Sequence, residues 1–280
     1  MTDKPRYDLQ DLTALMARLR DPEDGCPWDL KQTFATIVPH TLEEVYEVVD
    51  TIEREDWVHL REELGDLLFQ VVFYARMAEE QGDFSLQDVV HDITAKLLRR
   101  HPHVFPEGTL NSRRGAAAVS EREIAANWER IKAEEKAEGQ TESPETSVLD
   151  DVPLALPGMA RATKLQKKAS RVGFDWDHVA PVWTMLHSEL EELREAAEGG
   201  DRDAMEDELG DILFATVNLA RHLGLDPERA LRRTNAKFTG RFQYIEQALQ
   251  ARGRTPADAT LEEMDALWQA AKKGGNPPPR

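Results

Sequence analysis

From Thr41 to about Arg54, the apolar residues Leu42, Val45, Val49 and Ile52 return every three or four positions among acidic ones. That spacing predicts a helix with one apolar face. Leu60, Leu64, Leu67, Leu68, Val71, Val72 and Ala75 predict a second helix from about Trp57 to Glu80, with Gly82 as its stop. The second half repeats the pair over Pro181 to Glu198 and Asp203 to Leu223, joined by Glu198-Gly-Gly-Asp201. Further helices are predicted over 84–100, 121–136, 227–251 and 261–272, and Leu9, Leu12, Leu15, Met16 and Leu19 fall at helical spacing among charges. No run alternates in the manner of a strand. The class is all-α, with two tandem related helical-bundle domains.

Between the two halves lies a polar, charged stretch almost without bulky apolar residues, which buries too little to order itself. The expected organisation is a first helical domain over 1–132, a flexible charged linker over 133–152 and a second helical domain over 153–280. Gly274-Gly-Asn-Pro-Pro-Pro-Arg280 reads as a loose tail.

A set of carboxylates occurs twice in one spacing. Glu44, Glu47, Glu63 and Asp66 return 145 positions later as Glu189, Glu192, Glu208 and Asp211. The words around them match, Glu63-Leu-Gly-Asp-Leu-Leu-Phe69 against Glu208-Leu-Gly-Asp-Ile-Leu-Phe214. A single Glu-x-x-Glu on a helix is ordinarily a solvated face. Glu44 also fits a capping box as Thr41-Leu-Glu-Glu44, an explanation closed to Glu189 because position 186 is leucine. Three features favour function. Asp66 and Asp211 sit inside apolar runs, where an unpaired carboxylate is costly. Gly65 and Gly210 lie within predicted helices, where glycine costs about 1 kcal/mol against alanine, which suggests close helix approach or room for a ligand. Surface charges, finally, have little reason to keep one spacing in two halves that differ elsewhere.

Four such carboxylates suit a hard divalent cation, Mg²⁺ or Mn²⁺; zinc would normally bring His or Cys. A di-iron carboxylate bundle uses Glu-x-x-His, and no glutamate here is followed by histidine three residues on. Lys237 with Arg241, and Lys96 with Arg100, stand four apart; alone each is a surface basic pair, beside a metal cluster each is a candidate for holding phosphate. Trp268 reads as a core anchor or as a platform for a base. Cys26, in Gly25-Cys-Pro-Trp-Asp29, suits a helix start or turn, and His101 and His103 suit a loop.

Charge narrows the partners. The net charge is −18, which opposes nucleic-acid binding but not a phosphate-bearing small molecule, since a bound metal inverts the local sign. The lone cysteine fits a reducing compartment, and no apolar stretch approaches the roughly 20 residues of a membrane helix. The expected setting is cytoplasmic, with no membrane and no nucleic acid.

Read in order, these blocks resemble the MazG-type nucleoside triphosphate pyrophosphohydrolases. The resemblance runs through Gly25-Cys-Pro-Trp-Asp29 with Gln32-Thr33, Glu43-Glu-Val-Tyr-Glu47 with Glu63-Leu-Gly-Asp66, and Arg99-Arg-His-Pro-His-Val-Phe105. It continues through Asn127-Trp-Glu-Arg-Ile-Lys132, Val172-Gly-Phe-Asp-Trp176, the word from Asp211 to His222, and Asn235-Ala-Lys-Phe238 with Arg241. It implies Mg²⁺-dependent hydrolysis of NTPs and dNTPs to the monophosphate and pyrophosphate by an intertwined homodimer. It further implies that the C-terminal domain is the main catalytic unit. Carried over residue by residue, the metal ligands fall on Glu189, Glu192, Glu208 and Asp211, and the substrate contacts on Lys132, Lys237, Arg241 and Trp268. Glu192 is the expected general base, while Lys237 and Arg241 are the expected stabilisers of phosphate charge. This chain departs from the family pattern at Ala204, where a lysine is expected, with Arg202 as a possible substitute, and at Ser188, which stands where the first half has Glu43. The first half, with the fuller acidic motif of Glu44, Glu47, Glu63 and Asp66, is a second candidate metal site. The alternative to an enzyme is a nucleotide-binding regulator or interaction protein with little turnover.

Overall fold

The computed structural model describes residues 6–113, 120, 122–124, 127–128, 130–131, 134–135 and 147–274. It divides into two compact units, residues 1–141 and 142–280. The described residues are built from helices, with no strand among them.

In the first unit, α1 (Leu9–Leu19) starts on a capping box between Asp8 and Asp11, and α2 (Pro27–Lys31) starts at Cys26. α3 (Phe34–Glu53) and α4 (Trp57–Gln81) form a hairpin, followed by α5 (Leu86–Arg100) on a Ser85–Asp88 capping box. Gly82 ends α4 at φ 79°, a left-handed conformation that glycine adopts without strain. α3 begins seven residues earlier than its stripe predicts. Thr33 caps it with Thr36, and Pro39 sits inside it, where proline's fixed φ suits the helix at the loss of one hydrogen bond. Thr41 is therefore within the helix. Its hydroxyl bonds the Ile37 carbonyl at 3.2 Å and the Tyr74 hydroxyl at 2.9 Å, so the Thr41–Glu44 capping box does not form.

Met16, Ile37, Val72, Phe73 and Met77 make the core of this unit. Arg20 is buried beside it, with its guanidinium 5.4 Å from the Phe73 ring centre and bonded to Glu80 at 2.7 Å. Only part of the predicted stripes is used here. Val72 and Ala75 are buried, whereas Leu42, Val45, Ile52, Leu64, Leu68 and Val71 are exposed. The hairpin thus carries a second apolar face, turned away from its own core. Gly65 and Gly210 do not serve close helix approach either, because a Cβ at each would meet nothing within 4 Å.

The second unit opens with α6 (Gly158–Arg171), which the sequence pattern did not reveal. Its buried residues are Ala162 and Gln166, too small or too polar to make a stripe. α7 (Ala180–Gly199) and α8 (Arg202–His222) form the second hairpin, turned by Gly200 at φ 71° and capped by Asp201, which accepts from the Asp203 and Ala204 amides. α9 (Pro227–Gln250), a short 3-10 turn (Pro256–Asp258) and α10 (Leu261–Lys273) complete it. α6 packs on α8, and α9 on α10. Val152 is buried, and Asp151 pairs with Lys168 of α6. Leu190, Leu209 and Leu213 stay exposed, as their counterparts Val45, Leu64 and Leu68 do in the first unit, whereas Phe214 is exposed and its counterpart Phe69 packs against the core. No described helix is long and apolar enough to cross a membrane. The described residues between 122 and 135 are helical, and His101 and His103 lie after α5 as a cap and a turn.

Candidate active site

The α7–α8 hairpin sets Glu189 on one helix against Glu208 and Asp211, one turn apart, on the other. One oxygen from each of the three carboxylates lies within 4.8 Å of the others. Glu44 of α3 with Glu63 and Asp66 of α4 makes the same group in the first unit. Like charges at this separation oppose one another's ionisation. Burial, followed by Glu192, Asp211 and Glu208, pushes the Glu189 carboxyl above the usual range; burial, followed by Glu192, Asp211 and Asp207, does the same to Glu208. Glu44 and Glu63 are raised likewise, each by burial first, with Asp66 the leading neighbour for Glu44 and Glu47 for Glu63. No lysine or arginine is among these causes.

Glu192 and Glu47 stand beside the triads rather than inside them. The Glu192 carboxylate accepts a 2.8 Å hydrogen bond from Ser188, the residue that replaces an acid in the second unit. All donors in both groups are carboxylate oxygens, and Asp66 and Asp211 are exposed while their partners are half-buried. An all-oxygen, half-open set with surplus negative charge fits a hard divalent cation that retains water.

Next to the second triad, and lined in part by Glu189 and Asp211, is a cavity of about 620 Å³. Its walls are mainly apolar, with Phe174, Trp176, Met185 and Phe214 among them. A second, more open cavity of about 600 Å³ also borders Glu189, with Trp176, Thr184 and Ser188 in its lining. One wall of the first is a polar chain. Arg221 donates to Asp175 at 2.7 Å through one terminal nitrogen and also bonds it through the other. His222 joins Asp175 at 3.1 Å. Arg221 additionally donates to the Asn218 side-chain oxygen at 2.8 and 3.2 Å. The guanidinium holds Asp175 down to about 2. Gln166, on α6, donates to the Phe214 carbonyl at 2.9 Å.

The cationic candidates sit elsewhere. Arg241 lies 5.3 Å from the Trp268 ring centre, and Phe238 is also 5.3 Å from it, so Trp268 packs within an α9–α10 group. Lys237 is exposed on α9. Lys237, Arg241 and Trp268 line neither cavity. In the first unit Arg100 is engaged by Glu135, held down to about 2, and lies 5.4 Å from the Trp128 ring centre, which takes it out of contention for phosphate. Arg202 is exposed at the start of α8, and Lys132 lies outside the described residues. Neither charge nor spacing singles out Asn218, Arg221 and Asp175, although all three fall in the words 172–176 and 211–222.

Residues 32–105 and 181–245 match the MazG nucleotide pyrophosphohydrolase domain, so each match contains one carboxylate triad. The chain is 49% identical over 264 residues to a nucleoside triphosphate pyrophosphohydrolase of Escherichia coli strain K12, covering 94% of this chain and 96% of that one. It is 38% identical over 266 residues to the nucleoside triphosphate pyrophosphohydrolase/pyrophosphatase MazG of Thermotoga maritima, covering 95% and 96%. An uncharacterized Bacillus subtilis protein, YabN, is 42% identical over 268 residues, covering 95% of this chain and 52% of its own. Two matched domains and near-complete coverage at these identities place the chain in the MazG nucleotide pyrophosphohydrolase family, whose domain it carries twice in tandem.

Proposed function

We propose that Glu189, Glu192, Glu208 and Asp211 form the active centre of this nucleoside triphosphate pyrophosphohydrolase, which takes an NTP or dNTP and water to the monophosphate and pyrophosphate. The observation that carries the assignment is the juxtaposition of the second triad with an apolar cavity, large enough for a small ligand, that Glu189 and Asp211 themselves border. Mg²⁺, or Mn²⁺ in its place, is the cation the oxygen set suits, and when bound it would neutralise phosphate charge and make water more acidic. Glu189, Glu208 and Asp211 would hold that cation at the triphosphate end of the substrate. Glu192, tied at one oxygen by Ser188, keeps the other to take a proton from the attacking water. Lys237 and Arg241 are proposed to meet departing phosphate charge, with Lys132 and Trp268 as further substrate contacts.

The domain limits 1–132 and 153–280, joined by the 133–152 linker, and the C-terminal domain as the main catalytic unit belong to the same reading. So does a cytoplasmic homodimer. The exposed Leu190, Leu209, Leu213 and Phe214, with Leu64 and Leu68 in the first unit, offer the apolar surface that a second copy would cover. Glu44, Glu47, Glu63 and Asp66 would bind a cation without being the principal site of turnover.

The test is product analysis of the purified chain with each NTP and dNTP, with and without Mg²⁺. Metal-dependent release of monophosphate and pyrophosphate is expected. Diphosphate with orthophosphate, or intact triphosphate in every condition, would remove the assignment, and the second result would turn the reading to a nucleotide-binding regulator.

A further inference from the structure

Asn218 is unusual in the second unit. It is 9% exposed, yet it borders the cavity beside the triad. Its side-chain oxygen accepts two N–H groups of Arg221, which is itself clamped by Asp175. Only an oxygen can face two donors, so the amide orientation is fixed. Its NH₂ group has no hydrogen-bond partner among the described residues, and it is not among the buried atoms sealed from solvent. A nearly buried amide therefore presents donors, and no acceptor, to an apolar cavity. The matching position in the first unit, 145 residues earlier, is Phe73, fully buried in that unit's core. The two hairpins share a register, and the second has an amide at a cavity wall where the first has a core aromatic.

We infer that this cavity holds the nucleobase and that Asn218 is a specificity-determining residue which reads the base as a hydrogen-bond donor, favouring a carbonyl at the base's exocyclic position over an amino group. The inference rests on the triad being the pyrophosphohydrolase centre. Phe174, Trp176 and Phe214 supply apolar and aromatic wall, suited to a base's flat faces. The volume lies within the range of small-ligand pockets. The other polar groups of the wall do not reverse the preference: the oxygens of Asp175 already accept from Arg221, His222 and the Trp176 amide, and the Gln166 oxygen is sealed from solvent. Glu189 and Asp211 are acceptors, but in the proposed active centre they would be taken up by the cation. A 6-amino group would leave both its own donors and those of Asn218 unpaired, while a 6-oxo group takes one of the latter.

Inosine and adenosine triphosphates carry this contrast, since both are purines that differ only in the 6-oxo or 6-amino group and in the N1 proton that accompanies the oxo form. The experiment measures kcat/KM for each in the wild type, Asn218→Asp and Asn218→Ala. The wild type should prefer ITP by about tenfold or more, as expected when a site built to bond a group must take an analogue lacking it. Asn218→Asp keeps an oxygen for Arg221 and replaces the donors by an acceptor, so the ratio should fall to one or below; Asn218→Ala should also level it. Calorimetric affinities for IMP and AMP read the same preference without turnover and apply if a variant is inactive. Equal or better use of ATP by the wild type, or equal affinity for IMP and AMP, overturns the inference. Loss of all pyrophosphate release from both nucleotides, with IMP still bound more tightly than AMP, would instead overturn the reaction assigned to the triad and leave the base reading standing.

Discussion

Glu189 and Glu208 are held in a configuration that works against the unliganded chain. Both carboxyls are raised by burial and by neighbouring acids, so the folded protein binds protons more tightly there than the unfolded one. Their contribution to stability is then fully present below the unfolded value of 4.5 and is lost as pH rises through the raised folded value. Without metal, Glu208→Gln should melt at a higher temperature than the wild type at pH 7, and the difference should vanish near pH 4. Added Mg²⁺ should stabilise the wild type, by about 2.7 kcal/mol at one hundred times its dissociation constant, and the variant much less. Thermal melts with and without Mg²⁺ check both points; an unchanged or lower melting temperature for the variant without metal would contradict them. Asp175 behaves oppositely. Its carboxyl is lowered to about 2, chiefly by Arg221, so the stability it lends is present above the unfolded value of 3.8 and is lost as pH falls toward 2. Asp175→Ala, which removes the carboxylate from Arg221 and His222, should cost about 1–3 kcal/mol in urea unfolding at pH 7. For the reaction itself, Glu192→Gln should lower kcat at least about a hundredfold while the far-ultraviolet spectrum stays that of the wild type, and near-normal turnover would remove Glu192 as the base.

At the scale of the element, the hairpin is what sets one triad member against the other two. Gly200 closes α7 in a left-handed conformation, and Asp201 caps α8. Gly200→Ala places a Cβ in that conformation and should cost about 1 kcal/mol, read as a shift in urea midpoint. This element is legible from the amino-acid pattern because its stripes, its glycines and its carboxylate spacing repeat together. Where the pattern misled, the cause was local chemistry overridden by context. Thr41 with Glu44 has the letters of a helix start, but Thr33 provides the start and Pro39 is accommodated within the helix. α6 escaped because what it buries is alanine and glutamine. Arg100 has the spacing of a phosphate ligand, yet Glu135, far along the chain, claims it. Asn218 escaped for a related reason: one amide in an apolar word has no periodic signature, and its meaning comes from the cavity beside it.

At the scale of the whole molecule, two domains of one family carry the same triad with unlike surroundings. The apolar faces left exposed on both hairpins lead to a second expectation. Sedimentation should give a particle of twice the 31.7 kDa chain, and Leu213→Asp should shift it toward the single chain. A wild type that sediments as one chain at micromolar concentration would remove the dimer. The second triad is the proposed seat of the chemistry. That assignment is tested most directly by the rate of pyrophosphate release in Mg²⁺ from the wild type, Glu63→Gln with Asp66→Asn, and Glu208→Gln with Asp211→Asn. The first pair of substitutions should leave most of the activity and the second should abolish it. Activity that survives loss of Glu208 and Asp211, or that disappears with Glu63 and Asp66, would contradict the assignment.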